Sequence, residues 1–383
     1  MEKKFFLILI AVVAMASLLF SQKPRLCKFL FAEDAPLSSA ARKEGAESAP
    51  QTASTADLVD LTWEAVTTSA PWSVRDSHTL YIFDNKLWLL GGLDATKSTR
   101  GNTPDYKKAN YYNDIWSSVD GKEWVRETEH ANFPPIRSVS ITLFKDTLYM
   151  IGGWSPAVGY KNGIWKSANG VDWIKVVENP PYGEREGQKV VVFKDRMWLI
   201  GGVNYSTGKR KTFNDVWSSG DGVRWTVVSS ATPWHSRWDH DVVVFKDGLW
   251  VIGGMDLNNR GYGDVWYSSD GKEWQLITKA APFGKRQGHG AVVFNDLMWV
   301  VGGLEVRDIR DIWKILCDKS AGDVWYTANG HDWMEPKSDK LWISREDHGV
   351  IVFKDAIWVM GGMDKSFRWN NDVWRSILSS PEE

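Results

Sequence analysis

Ser236–Gly254 reads SRWDHDVVVFKDGLWVIGG, and its second half decides the fold. An apolar run, Val242–Phe245, meets a two-residue polar turn, Lys246-Asp247. A second apolar run, Leu249–Ile252, then stops at a glycine pair. Two short apolar runs joined by so tight a turn make a β-hairpin. The ending recurs along the chain. Glycine doublets begin at Gly91, Gly152, Gly201, Gly253, Gly302 and Gly361, at intervals of 61, 49, 52, 49 and 59 residues. A period near 50 built from short strands signals a β-propeller, each repeat forming one blade.

Each repeat predicts four strands. After the hairpin comes a strand led by NDVW or a relative, with Trp116, Trp165, Trp217, Trp266, Trp325 or Trp374. A turn such as SSGDGVRW then leads to a fourth strand carrying Trp124, Trp173, Trp225, Trp274 or Trp333. The sixth repeat stops after NDVWRSILSS and lacks its fourth strand, while an unpaired candidate, LVDLTWEAV around Trp63, precedes the first repeat. The N-terminal strand should therefore complete the last blade. The fold class that follows is all-β: a six-bladed propeller over residues 58–383.

The glycine doublets, the aromatic residues just before them (Trp88, Tyr149, Trp198, Trp250, Trp299, Trp358) and the tryptophans of the outer strands resemble kelch repeats. The resemblance covers nearly everything after residue 57. It implies a kelch-type propeller, a fold shared by binding scaffolds and enzymes. These include galactose oxidase and a six-bladed periplasmic sialic-acid epimerase.

What precedes the repeats reads as export and tethering. Residues 1–32 hold a basic start, MEKK, and an apolar run, Phe5–Phe20, with a small-residue site at Ala14-Met15-Ala16. This predicts a signal peptide, or else an N-terminal membrane anchor. Residues 33–57 are rich in Ala, Ser and charge and predict a disordered tether. The expected location is periplasmic, cell-envelope or secreted. A net charge of −2 argues against a nucleic-acid partner. The two cysteines, Cys27 and Cys317, are too few for a disulfide framework.

An arginine precedes the first strand of every repeat: Arg75, Arg137, Arg185, Arg237, Arg286 and Arg345. Three residues on stand His78, Ser140, Gln188, His240, His289 and His348. Two readings compete. A scaffold position is needed six times, and in that reading each arginine pairs with a nearby acid such as Asp76, Glu184, Asp239 or Glu346. The resemblance implies instead that the arginines line one mouth of the central channel and contact an anionic ligand. The histidines are read as buried hydrogen-bonding positions, with acid–base work or metal binding as the lesser alternatives. No metal and no cofactor is expected, because no tight His/Cys/Asp cluster accompanies them. A copper site like that of galactose oxidase would need a cysteine joined to a tyrosine, and Cys317 has no histidine beside it.

The loops between second and third strands break the repetition. Two are long, Leu93–Tyr112 and Leu304–Ala321, and open on the arginine side. Trp154, Trp238, Trp313 and Trp369 fall in segments facing the same side and have no counterpart in other repeats, whereas Trp72, Trp234 and Trp342 share a repeated position. Aromatic faces beside arginines suit a sugar or a protein segment. The expected function is a non-catalytic binding module whose mouth holds a protein segment or glycan, anionic in character. The alternative is an enzyme of the sialic-acid epimerase type.

Overall fold

A computed structural model describes residues 59–100, 103–160, 163–206, 208–306, 323–337 and 342–378. The expected leader and tether, Trp313 and Cys317 lie outside the described residues. The described strands form six blades, each an antiparallel sheet running outward from the axis. The strands of blade 1 are Thr79–Phe83, Lys86–Leu90, Ile115–Ser118 and Val125–Thr128, in that spatial order. Blades 2, 3 and 4 repeat the pattern from Ser140, Lys189 and Asp241. Their innermost strands neighbour one another around the ring, and that of blade 1 meets that of blade 6.

Closure follows the expected route. Leu61–Thr67 pairs antiparallel with Val373–Leu378, with Leu61 opposite Leu378 and Ala65 opposite Trp374, and supplies the outer strand of blade 6. Blade 5 departs from expectation. Its described residues form three strands, Gly290–Phe294, Leu297–Val301 and Val324–Thr327. Beyond them Met334 meets Tyr326 in a single bridge. Pro336 lies two residues on and has no N–H to continue a ladder.

Local chemistry explains the repeated motifs. In the hairpin turn of every blade both residues have positive φ, for example 44° at Lys246 and 57° at Asp247. That turn matches the right-handed twist of the flanking strands. The tryptophan that follows, Trp250 in blade 4, donates Nε1–H to the Phe245 carbonyl at 2.8 Å. The outer hairpin is held by its own side chains. Ser268 Oγ accepts the Gly271 N–H, and Asp270 Oδ1 accepts those of Lys272 and Glu273. Gly271 then lies against Trp198 of the preceding blade, so that a Cβ there would sit 2.1 Å from the indole. Gly121, Gly170, Gly222 and Gly330 meet the corresponding aromatic residue of their own preceding blades. Five of the six seams between blades are filled this way, and all by apolar clusters such as Phe193, Trp198, Val242, Leu249 and Trp274, with Trp63, Trp299 and Trp342 at the seam of blades 5 and 6.

Candidate functional site

Every blade begins at one end of the ring, where the linking chain turns into the innermost strand. Five arginines stand at this turn and none faces the channel. Arg237 is fully buried. It gives Nη1 and Nη2 to Asp264 at 2.6 and 2.9 Å and Nη1 to the Gly253 carbonyl at 2.8 Å. Arg75 pairs in the same way with Asp114, Arg185 with Asp215, Arg286 with Asp323 and Arg345 with Asp372. The partner is the aspartate of the NDVW motif, not one of the acids adjacent in sequence. Its second oxygen also accepts the indole N–H of the motif's tryptophan, as Asp264 does from Trp266 at 2.8 Å. The motif's asparagine ties down the linking chain, Asn371 donating to the Ala70 and Trp72 carbonyls. Aromatic residues cover the guanidiniums: Arg237 lies over Trp234 and Tyr262, and Arg75 over Trp72 and Tyr112. Trp72, Trp234 and Trp342 are accordingly buried scaffold.

Blade 2 breaks this rule, although Arg137 sits close to the repeated position in the sequence. Around the ring, the first N–H after a glycine doublet begins is received by the residue at the arginine position of the next blade. Gly202 donates to Arg237, Gly254 to Arg286 and Gly303 to Arg345, while Gly92 donates to Ile136. Ile136 therefore occupies the arginine position of blade 2. The aspartate partner is lost with it, for Gly163 stands where the other blades have Asp. Arg137 moves one residue on, into the ring formed by Asp76, Glu186, Trp238, Gln287 and Glu346. Val139, not Ser140, takes the histidine position: it packs on Gly153 as His240 packs on Gly254.

The histidines are buried between blades. A Cβ on the first glycine of a doublet would lie 2.7 Å from His240 Cε1 at Gly201, and 2.8 Å from the same atom of His289 at Gly253. His348 Nε2 lies 3.2 Å from the Val301 carbonyl, and Gln188 Nε2 makes the matching bond to Ile151 at 2.8 Å. Burial pushes the His78 and His348 pKa values down to about 3, so their rings are neutral at pH 7. His240 and His289 shift the same way for the same reason. Among the described residues no group of His, Cys, Asp or Glu is arranged to hold a metal ion.

What remains at the mouth is a carboxyl-rich ring with aromatic walls. Its floor is a circle of residues joined by backbone bonds at five of the six blade junctions: Ser77 N–H to Asp347, Ser138 to Ser77, Gly187 to Ser138, Gly288 to Asp239 and Asp347 to Gly288. Residues along this circle take positive φ, including Ser77, Ser138, Asp239 and Asp347. A cavity of about 180 Å³ lies on the axis, reaching from this circle to the Lys189–Asp241 ion pair. At the rim Arg137 Nε and Nη2 bond both oxygens of Glu186 at 3.0 and 3.1 Å, and the guanidinium lies over Tyr106 and Trp154. Tyr160 donates to the same Glu186 at 3.3 Å and accepts the Tyr205 N–H. Tyr205 meets Trp238 edge-on at 5.4 Å. Trp369 donates its indole N–H to Asp76 Oδ2 at 2.8 Å. Burial, then the neighbouring Asp347, push the Asp76 carboxyl up to about 8. Burial and mutual repulsion raise Asp239 and Glu346 in the same direction, and burial raises Asp347.

Of the expected site residues, the structure brings Arg137, Trp154, Trp238 and Trp369 together at the mouth. The other five arginines and the four histidines belong to the scaffold. The charge sense is reversed: among the described residues five carboxyls, of Asp76, Glu186, Asp239, Glu346 and Asp347, gather around the guanidinium of Arg137. In the sequence Asp76, Asp239 and Glu346 read as partners for the arginines, and Glu186 carries no signal of its own. A signal was available, since the NDVW aspartate and the arginine occur together in five repeats and the aspartate is missing only from repeat 2.

Comparison with known proteins agrees with this architecture. A solved structure titled "Structure of YjhT" has a TM-score of 0.62 and 15% sequence identity, over 82% of this chain and 100% of that one. At that identity the likeness is one of fold. No curated protein matches the sequence. The model of the KLHDC2/KLHL20/DRC7 Kelch-repeats domain matches residues 103–303, over half of the chain, and together with the six kelch-type blades it shows that this chain belongs to the Kelch-repeat family.

Proposed function

We propose that the protein is a non-catalytic binding module that takes a segment of another protein at the mouth of its propeller. One observation carries the reading: the repeat is kept where residues hold the blades and broken where they face the mouth. Ile136 and Gly163 remove a scaffold ion pair, and Arg137, Trp154, Glu186 and Trp238, from blades 2, 3 and 4, form a wall that the described residues do not repeat elsewhere in the ring. Rigid aromatic faces beside polar groups that already have fixed partners suit recognition of a protein segment. The sialic-acid epimerase alternative draws less support. An acidic sugar calls for free cations, and the guanidinium set among the mouth acids, that of Arg137, is already bonded twice to Glu186. Export through the N-terminal leader is part of the proposal.

Thermal unfolding in the presence of peptide and glycan libraries tests it. A true ligand stabilises by mass action, by about 2.7 kcal/mol at 100 times its dissociation constant. The expected result is stabilisation by a peptide that is lost in Trp238→Ala. Stabilisation only by sugars, or chemical conversion of a bound sugar, would contradict the proposal.

A further inference from the structure

We propose that the group of the partner segment that enters this mouth is cationic, the guanidinium or ammonium of an arginine or lysine, held by Asp76, Asp239, Glu346 and Asp347. The inference rests on the binding reading above and specifies its ligand. Among the described residues none of these four carboxyls has an ion pair. Arg137 is occupied by Glu186, and Lys189 by Asp241. Asp76 gives the sharper sign. Its side chain is 2% exposed, Trp369 fixes one oxygen, and the other oxygen has no partner. A buried carboxylate oxygen left unpaired costs free energy, and a charged donor placed there recovers it. Next along the ring, Gln287 gives its amide to Glu346 at 2.6 Å and leaves its own carbonyl oxygen buried and unpaired. All these groups accept hydrogen bonds, as a guanidinium or ammonium requires.

The walls fit the same guest. Tyr106 and Trp238 flank the acids, and aromatic faces attract cations. The axial cavity of about 180 Å³, lined by Asp239 and Asp347 of the four acids, has room beneath the ring for the end of one long side chain. Bringing like charges together in a buried ring is unfavourable without a counter-ion, so the empty mouth takes up protons instead. Arg137 and Lys189 oppose that uptake, while Glu186, Tyr106 and Tyr205 do not. A bound cation replaces the protons, so affinity should rise with pH through the range where the acids ionise.

Peptides of the form acetyl-Gly-Gly-Xaa-Gly-Gly-amide, with Xaa as Arg, Lys, citrulline or Glu, are titrated into the full chain up to about 10 mM, a range that captures weak single-residue binding. Tryptophan fluorescence and thermal shift read the binding. The Arg peptide should bind at least about tenfold more tightly than its neutral citrulline twin, and several-fold more tightly at pH 8.5 than at pH 6. Asp76→Asn and Asp347→Asn should each weaken it about tenfold without lowering Tm, since both relieve repulsion. Equal binding of the Arg and citrulline peptides, a preference for Glu, or no binding at any concentration would overturn the inference. The two proposals fail separately. Tight binding of a neutral or acidic peptide that Trp238→Ala abolishes would keep the binding module and remove the cation, whereas binding of sugars alone would remove both.

Discussion

At the scale of the residue, neighbours in sequence divide the work. Arg237 builds scaffold and Trp238 faces the mouth. Asp239 takes positive φ on the floor, and His240 is buried against the preceding blade. The titrating groups pull stability in opposite directions. The mouth acids have raised pKa values, so the stability that their protonated forms contribute is present at low pH and lost as pH rises toward about 8, where Asp76 ionises. The histidines have lowered values. Their contribution is present above about 6.5 and lost as pH falls toward 3. From pH 6.5 to 8.5 only the acids change, so Tm should fall over that interval, and Asp76→Asn should flatten the fall. His348→Gln should be nearly neutral at pH 7, because Gln188 makes the same bond in blade 3, and should gain on the parent protein below pH 5. Calorimetry across pH checks both outcomes.

At the scale of the element, a blade buries its faces only against its neighbours, to which small residues under aromatic rings fasten it. Gly271→Ala asks a β-carbon to occupy space held by Trp198 at a φ of 73°. Overpacking of this kind costs about 1–3 kcal/mol, to which backbone strain adds. Chemical denaturation should show that loss, whereas alanine at Gly208, where φ is also positive but nothing lies within 4 Å, should lose only the backbone part. The strands were legible in the sequence because their signals are local: apolar runs, two-residue turns, a glycine pair. In blade 5 Trp333 predicts a fourth strand, and among the described residues only the Met334–Tyr326 bridge forms before Pro336. What the arginines do was not legible from their neighbours. Each partner lies 27 to 39 residues away, as with Arg345–Asp372 and Arg75–Asp114, and meets it only once the blade has formed. Spacing by eye also missed the one-residue shift in blade 2, because Arg137 looks like the missing copy.

At the scale of the whole molecule, the ring depends on one strand from each end of the chain. Removing residues 58–67 should expose the edge of Val373–Leu378 and leave Trp342 without its contact to Trp63. An open edge recruits other chains. Light scattering should show aggregation, and a monomer of unchanged Tm would count against closure. The larger claim is that scaffold and mouth are separate sets of residues interleaved along the same turns. Thermal unfolding of Arg345→Ala beside Glu346→Gln tests that claim most directly, since the two positions are adjacent. The first leaves Asp372 without its buried partner, a loss of about 3–5 kcal/mol, and should lower Tm by several degrees. The second relieves a crowded carboxyl and should leave Tm unchanged or raise it. A stable Arg345→Ala together with an unfolded Glu346→Gln would contradict the account.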